Sequence, residues 1–142
     1  MGGLAQGEVA SRLAVKTVID GLSGQLENIQ NNREGWLVSL VEQANAVVSE
    51  KVQNGGTTLS LVLLESRKMS IAHVGDSRIY FVRDREIRQL SEDHSLVALL
   101  VASGQISEAE SQQHPDRNVL TKSLGAKKRL SQGYVPLSLI HI

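Results

Sequence analysis

The sequence contains no cysteine among its 142 residues. Disulfide bonds, a catalytic thiolate and thiolate zinc sites are therefore excluded, because each of them needs a cysteine sulfur. An excess of charge of one sign is also lacking, since 15 lysine and arginine residues balance 15 aspartate and glutamate residues. Nucleic acids and anionic membranes attract proteins through excess positive charge, so we expect neither as a partner.

Long apolar runs are missing as well. No run approaches the roughly 20 apolar residues of a membrane-spanning helix, and we expect a cytoplasmic protein. Hydrophobic residues make up 41% of the chain and charged residues 21%, which is typical of a globular domain. A chain of this length can build one core of its own. We therefore expect one folded domain.

Apolar residues recur with helical spacing in two stretches near the start of the chain. Residues 7–22 and 36–52 each combine an apolar stripe with polar residues on the other side, which predicts two amphipathic helices packed on a core. The first stripe consists of Val9, Leu13, Ala14, Val18, Ile19 and Leu22. The second stripe consists of Leu37, Leu40, Val41, Ala44, Val47, Val48 and Val52.

Residues 57–90 have the apolar, β-branched pattern of strands. Four strands are predicted, near 57–65, 69–75, 78–83 and 86–90, and their short connections favour an antiparallel meander. Gly75, Asp76 and Ser77 form the second connection, next to Arg78. The pattern alone leaves Asp76 with two interpretations, a turn residue that accepts backbone hydrogen bonds or a functional acid.

Capping signals predict two short helices after the strands. Asp93 or Ser95 can cap a helix that ends at Gly104. Ser107 then begins a capping box, and the helix that follows should close before Pro115. Residues 118–124 are predicted to form a further helical turn. None of the four histidines has the helical spacing of a zinc site, and His73 is expected in the core or a cleft wall.

Five segments of the chain occur in the order that one known family shows. They are M-G-G at 1–3, G-G-T-T-L at 55–59, A-H-V-G-D-S-R-I-Y at 72–80, L-S-E-D-H-S-L-V at 90–97 and H-P-D-R-N-V-L-T-K-S-L-G at 114–125. Together they resemble the metal-dependent PPM (PP2C-type) serine/threonine phosphatases of bacteria. The resemblance implies an α+β fold, a partial PP2C-like α-β-β-α sandwich of antiparallel sheets flanked by helices. Residues 1–126 are assigned to a partial phosphatase domain and 127–142 to a divergent tail, for which a non-native origin is one interpretation.

The chemistry that the resemblance implies is hydrolysis of phosphoserine and phosphothreonine in proteins by a metal-activated water. Two or three Mn²⁺ or Mg²⁺ ions are expected in the complete domain. By resemblance, Asp76 is a ligand of the third ion, with Gly75, Ser77 and Arg78 in supporting roles. Arg78 either forms an ion pair there or is merely solvated. The remnant of the first metal motif is Met1, Gly2 and Gly3.

Substrate contacts are also implied by the resemblance. In this family a flap covers the substrate cleft, and residues 106–118 match its position. The candidate contacts are Ile106, Ser107, His114, Arg117 and Asn118. Phosphoserine or phosphothreonine proteins are the implied substrates, and a cognate Ser/Thr kinase is the implied partner.

Several of the family's metal motifs do not occur in the 142 residues. The resemblance places an Asp-Gly pair directly before Met1 and the motifs S-D-G-L and D-N after residue 126, and none of the three is present. We therefore interpret the chain as a fragment of a longer protein or as a short protein that keeps the fold. Little or no phosphatase activity is expected from these residues alone. The alternative function is a non-catalytic PPM-like module that binds a phosphoprotein or a regulatory partner.

Overall fold

Helices and strands alternate in blocks along the chain. The computed structural model describes residues 6–23, 32–65, 67–126 and 137–141. The elements are α1 (Gly7–Ser23), α2 (Arg33–Lys51), β1 (Leu59–Glu65), β2 (Lys68–Val74), β3 (Tyr80–Arg83), β4 (Glu86–Gln89), α3 (Leu96–Ala102), α4 (Glu108–Gln113) and β5 (Leu137–His141). The α+β class predicted from the sequence is confirmed. The strand β5 was not predicted.

The helix α2 carries the centre of the core. Asn32 caps it, because the Asn32 side chain accepts a hydrogen bond from the Gly35 N–H at 3.0 Å. Its predicted stripe is buried except for Val47, which is half-buried, and Trp36 joins the buried side. The core cluster also contains Ala10, Ala14 and Val18 of α1, Val52, Leu59 and Leu124, and Ala72 and Val74 of β2.

The buried face of α1 differs from the predicted stripe. Val9 and Ile19 of the stripe are 49% and 54% exposed, whereas Ala10, which was not in the stripe, is buried. The two helices pack closely, since a methyl group added at Gly21 would collide with the Leu40 side chain. The small side chains of Ala10 and Ala14 permit such an approach. The apolar spacing therefore identified the helix and most of the side that it buries, since Ala14 and Val18 are buried and Leu13 and Leu22 pack against the core. Val9 and Ile19 were wrongly included.

Two antiparallel sheets are formed by the described residues. In the first, β2 lies between β1 and β5, with Leu59 opposite Val74 and Lys68 opposite His141. The second is the hairpin of β3 and β4. Every residue of β2 after Lys68 is buried, as expected of a central strand covered on both faces. Although β5 lies in the segment 127–142, the assignment of that segment to a divergent tail stays a prediction.

The prediction of a single four-stranded meander is wrong. In the part of the chain that the structure describes, β2 and β3 do not pair, and the chain passes from the first sheet to the second after Val74. The backbone bonds of this passage go to residues 90–94 instead. The Leu90 N–H donates to the Ile79 carbonyl at 2.8 Å, and the His94 N–H donates to the Gly75 carbonyl at 2.8 Å.

Both predicted caps of the short helices are present. Ser95 accepts from the Ala98 N–H, and Ser107 forms the full capping box with Glu110. The helical turn predicted for residues 118–124 is wrong. Leu124 exchanges backbone hydrogen bonds with Thr57 at 2.9 and 3.1 Å, so this segment bonds to residues distant in the sequence rather than to itself. Across the described residues, no helix is long and apolar enough to cross a membrane.

Candidate phosphatase site

Asp76 lies at the corner where the chain leaves the first sheet. The preceding residue, Gly75, is buried and has a φ of 114°, which side chains other than glycine rarely adopt. A methyl group at Gly75 would also collide with the side chain of Thr58. Glycine is therefore required here by both backbone angle and space. The Asp76 carboxylate that follows is exposed.

Two histidines surround the backbone of Gly75. The Gly75 N–H donates to Nδ1 of His94 at 3.0 Å, and Nε2 of His73 lies 2.9 Å from the Gly75 carbonyl. Their rings stack with centroids 5.3 Å apart. Both residues are buried, which confirms the core position expected of His73. Burial, with the positive charge of Lys122 next in importance, lowers the pKa of His94 to about 4.

Arg78 forms an ion pair with Asp93, so it is not merely solvated. Its Nε and Nη2 atoms both donate to Oδ2 of Asp93, at 2.9 and 2.7 Å. These hydrogen bonds, with a contribution from Tyr80, raise the pKa of Arg78 above its ordinary value. One residue before it, the hydroxyl of Ser77 lies 2.8 Å from that of Thr58. Side-chain hydrogen bonds thus hold both residues that follow Asp76.

A cavity of about 250 Å³ joins this corner to the predicted flap. Its lining residues are Asp76, Arg78, Asp93, Ser95, Val97, Ser111, Gln112, Arg117 and Asn118. Two of the five predicted substrate contacts, Arg117 and Asn118, therefore lie beside Asp76. The other three do not line it. Ser107 caps α4, Nδ1 of His114 accepts from the Asp116 N–H, and Ile106 is half-buried.

The described residues do not assemble a metal site by themselves. Among them, no group of three histidine or carboxylate side chains is placed to hold an ion. Asp76 offers an exposed carboxylate, but the neighbouring carboxylate of Asp93 is engaged by Arg78. Met1, Gly2 and Gly3, the remnant of the first metal motif, lie outside the described residues. The metal role predicted for Asp76 stays a prediction.

The partners of Gly75 and Arg78 were not predicted from the sequence. Asp93 was considered only as a helix cap, and no role at this corner was predicted for His94. These residues stand 15 and 19 positions from their partners, and local patterns do not reveal such distances. The one available signal was the segment L-S-E-D-H-S-L-V, which contains both of them.

Comparison with known proteins identifies the class of domain to which this fold and the Gly75–Arg78 turn belong. The chain belongs to the protein phosphatase 2C family, whose model matches residues 1–121. It is 36% identical over 137 residues to the serine/threonine phosphatase Stp of Listeria monocytogenes serotype 4b, which covers 92% of this chain and 54% of that protein. The chain therefore spans about half the length of the curated relatives that it matches.

Solved structures agree with this assignment. The serine/threonine phosphatase Stp1 from Staphylococcus aureus superposes with a TM-score of 0.84 at 34% identity, over 99% of this chain and 56% of that one. The catalytic domain of the phosphatase PstP in complex with two manganese ions gives a TM-score of 0.77 at 26% identity, over 99% and 58%. The predicted family and the partial PP2C-like fold are confirmed, and this family is metal-dependent.

Proposed function

We propose that this domain hydrolyses phosphoserine and phosphothreonine in proteins. The observation that carries the proposal is the family match over residues 1–121, together with relatives named serine/threonine phosphatases. Phosphoproteins are accordingly the proposed substrates. A cognate Ser/Thr kinase and a cytoplasmic location stay predictions.

The cavity beside Asp76 suits a phosphorylated side chain. Arg117 and Asn118 on its wall are exposed. The side chain of Arg117 has one described hydrogen bond, a long one of 3.5 Å to the His114 carbonyl. A guanidinium donates well to phosphate oxygens, and Arg78 is already engaged by Asp93. We therefore assign phosphate contact on this wall to Arg117 rather than to Arg78.

We further propose that catalysis depends on Mn²⁺ or Mg²⁺, with two or three ions in the complete domain. Support comes from the two manganese ions in the PstP structure and from the exposed carboxylate of Asp76. Hard divalent cations prefer oxygen ligands of this kind. Because the described residues supply too few such ligands, we expect little or no turnover from the 142 residues alone.

Phosphate release from a phosphothreonine peptide tests the proposal. The product of the complete reading frame around these residues is assayed with Mn²⁺ and then with excess chelator. Turnover that disappears on chelation is expected. Asp76→Asn should lower this turnover, whereas Asp84→Asn should not, since Asp84 lies in the exposed β3–β4 turn. Turnover that persists in chelator, or none at all from a folded protein, would contradict the proposal.

The second candidate function is binding without catalysis. It is favoured by the absence of a three-ligand cluster in the described ranges, while Arg117 and Asn118 already line a cavity there. A module of this kind should bind a phosphothreonine peptide with the same affinity before and after chelation. Binding that is lost with the metal would favour the enzyme instead.

A further inference from the structure

We propose that His94 is a positioning residue for Asp76 and acts through the backbone of Gly75. The proposal deepens the function proposed above and rests on it where activity is measured. Residue 94 does not line the cavity, and its ring has no described hydrogen bond to the Asp76 carboxylate. Two of its hydrogen bonds go to the peptide groups on either side of Gly75, and these set the direction in which Asp76 leaves the sheet.

Residue 75 cannot determine that direction by its own sterics. Glycine is required there because Thr58 leaves no space for a side chain. Glycine also has the broadest range of backbone angles, including the observed φ of 114°. Because only glycine fits at position 75 and glycine has wide backbone freedom, hydrogen bonds from other residues must fix its conformation. Otherwise the carboxylate one residue later would sample several directions.

Hydrogen bonds from residue 94 supply that definition on both sides of Gly75. The Gly75 N–H donates to Nδ1 of His94 at 3.0 Å, and the His94 N–H donates to the Gly75 carbonyl at 2.8 Å. That carbonyl belongs to the planar peptide that joins Gly75 to Asp76. Fixing the oxygen therefore fixes the plane from which the Asp76 backbone starts.

His73 also holds the Gly75 carbonyl, and its two hydrogen-bond partners show which of its ring nitrogens carries the proton. Nε2 of His73 lies 2.9 Å from the Gly75 carbonyl, so this nitrogen carries the proton. Nδ1 of His73 is then the acceptor for the Ser60 hydroxyl at 3.0 Å. Nδ1 of His94 must likewise be unprotonated, because it accepts from an N–H. The lowered pKa of His94 keeps it neutral, and thus an acceptor, near neutral pH.

Three substitutions of His94 separate positioning from simple packing. Phenylalanine keeps a stacked ring and removes the acceptor. Asparagine keeps an acceptor near the Nδ1 position, and glutamine moves it outward by one methylene. In the product of the complete reading frame, His94→Phe should lower kcat for a phosphothreonine peptide about tenfold, the size expected for one lost buried hydrogen bond. KM should change less than about twofold, and His94→Asn should restore most of kcat.

The link through Asp76 is tested by combining variants. If His94 acts only by aiming the carboxylate, His94→Phe should cause no further loss in an Asp76→Asn background. A kcat loss in the double variant that equals the product of the two single losses would overturn the proposal. So would equal kcat values for the phenylalanine and asparagine variants. If His94→Phe does not fold, kcat of His94→Gln is compared with that of His94→Asn. The glutamine variant is expected to have the lower kcat, and equal values would overturn the proposal.

A readout without activity distinguishes failure of this inference from failure of the proposed function. Amide hydrogen exchange at Gly75 should be slow in the unmodified protein and in His94→Asn, and faster in His94→Phe at equal global stability. Unchanged exchange in His94→Phe would overturn the role of His94 even in an active enzyme. Slow exchange at Gly75 in a protein without phosphatase activity would support the hydrogen bond between His94 and Gly75 and refute the proposed phosphatase function.

Discussion

Acidification should weaken the fold through His94. The ring is 7% exposed and has a pKa of about 4 in the folded chain, against about 6.5 for an unfolded chain. Between these values the unfolded chain binds a proton that the folded chain does not. Stability from this group is therefore complete above pH 6.5 and is lost as the pH falls towards 4.

The size of the effect follows from the two pKa values. At pH 5 the unfolded ring is almost fully protonated and the folded ring is mostly neutral, which costs about 2 kcal/mol relative to pH 8. The groups that act on His94 are Lys122 and His73, which oppose its protonation, and Asp93, which favours it. Desolvation is the largest cause, so added salt should leave most of the effect in place.

Urea unfolding of the protein at pH 8, 6.5 and 5 measures this contribution. His94→Asn is the matched control, because asparagine can accept the Gly75 hydrogen bond and does not titrate. The free energy of unfolding of the unmodified protein should fall by about 2 kcal/mol more than that of His94→Asn between pH 8 and pH 5. Parallel losses in the two proteins would refute the reasoning.

Three further substitutions, two of them with a control substitution, test backbone strain and packing by urea unfolding at pH 8. Gly75→Ala should cost about 3 kcal/mol, because it adds a collision to an unfavourable φ, whereas Gly104→Ala, at φ 71° in open space, should cost about 1. Equal losses would contradict the collision. Arg85→Gly should add about 1 kcal/mol by relieving a φ of 67° in the hairpin turn, and a loss of stability would contradict that strain. Leu37→Ala should cost about 2–5 kcal/mol and Val62→Ala, at a side chain 40% exposed, less than about 1; similar costs would place Leu37 outside the core.

Features encoded locally were predicted from the sequence. The α2 stripe repeats with the period of the helix, so its buried side could be identified in advance. The caps at Ser95 and Ser107 depend on residues within three positions of each other.

Features that depend on distant residues were not predicted. Residues 118–124 have an apolar pattern compatible with a helical turn, but Thr57 and Ser95 recruit Leu124 and Leu120 into β-bridges. Val9 and Ile19 of the predicted α1 stripe are exposed, because the close approach of α2 buries the side that contains Ala10, Ala14 and Val18.

At the candidate site, too, some features were predicted from the sequence and others depend on distant residues. The resemblance singled out Asp76, Arg78, Arg117 and Asn118, which line one cavity, and also Ile106, Ser107 and His114, which do not. Their roles stay predictions. Periodicity carries no information about the hydrogen bonds of Gly75 to a histidine 19 positions later. Those contacts arise only when the segment before α3 folds back onto the end of β2.

The most direct test of the central claim is to sequence the DNA on both sides of this reading frame. The claim is that these residues form about half of a metal-dependent protein phosphatase domain, the half that contains Asp76. We predict an Asp-Gly pair joined to Met1, with S-D-G-L and D-N motifs encoded after residue 126, because the described residues supply too few metal ligands. A frame that starts at Met1 and stops after Ile142 would contradict the enzymatic account and favour a phosphopeptide-binding module.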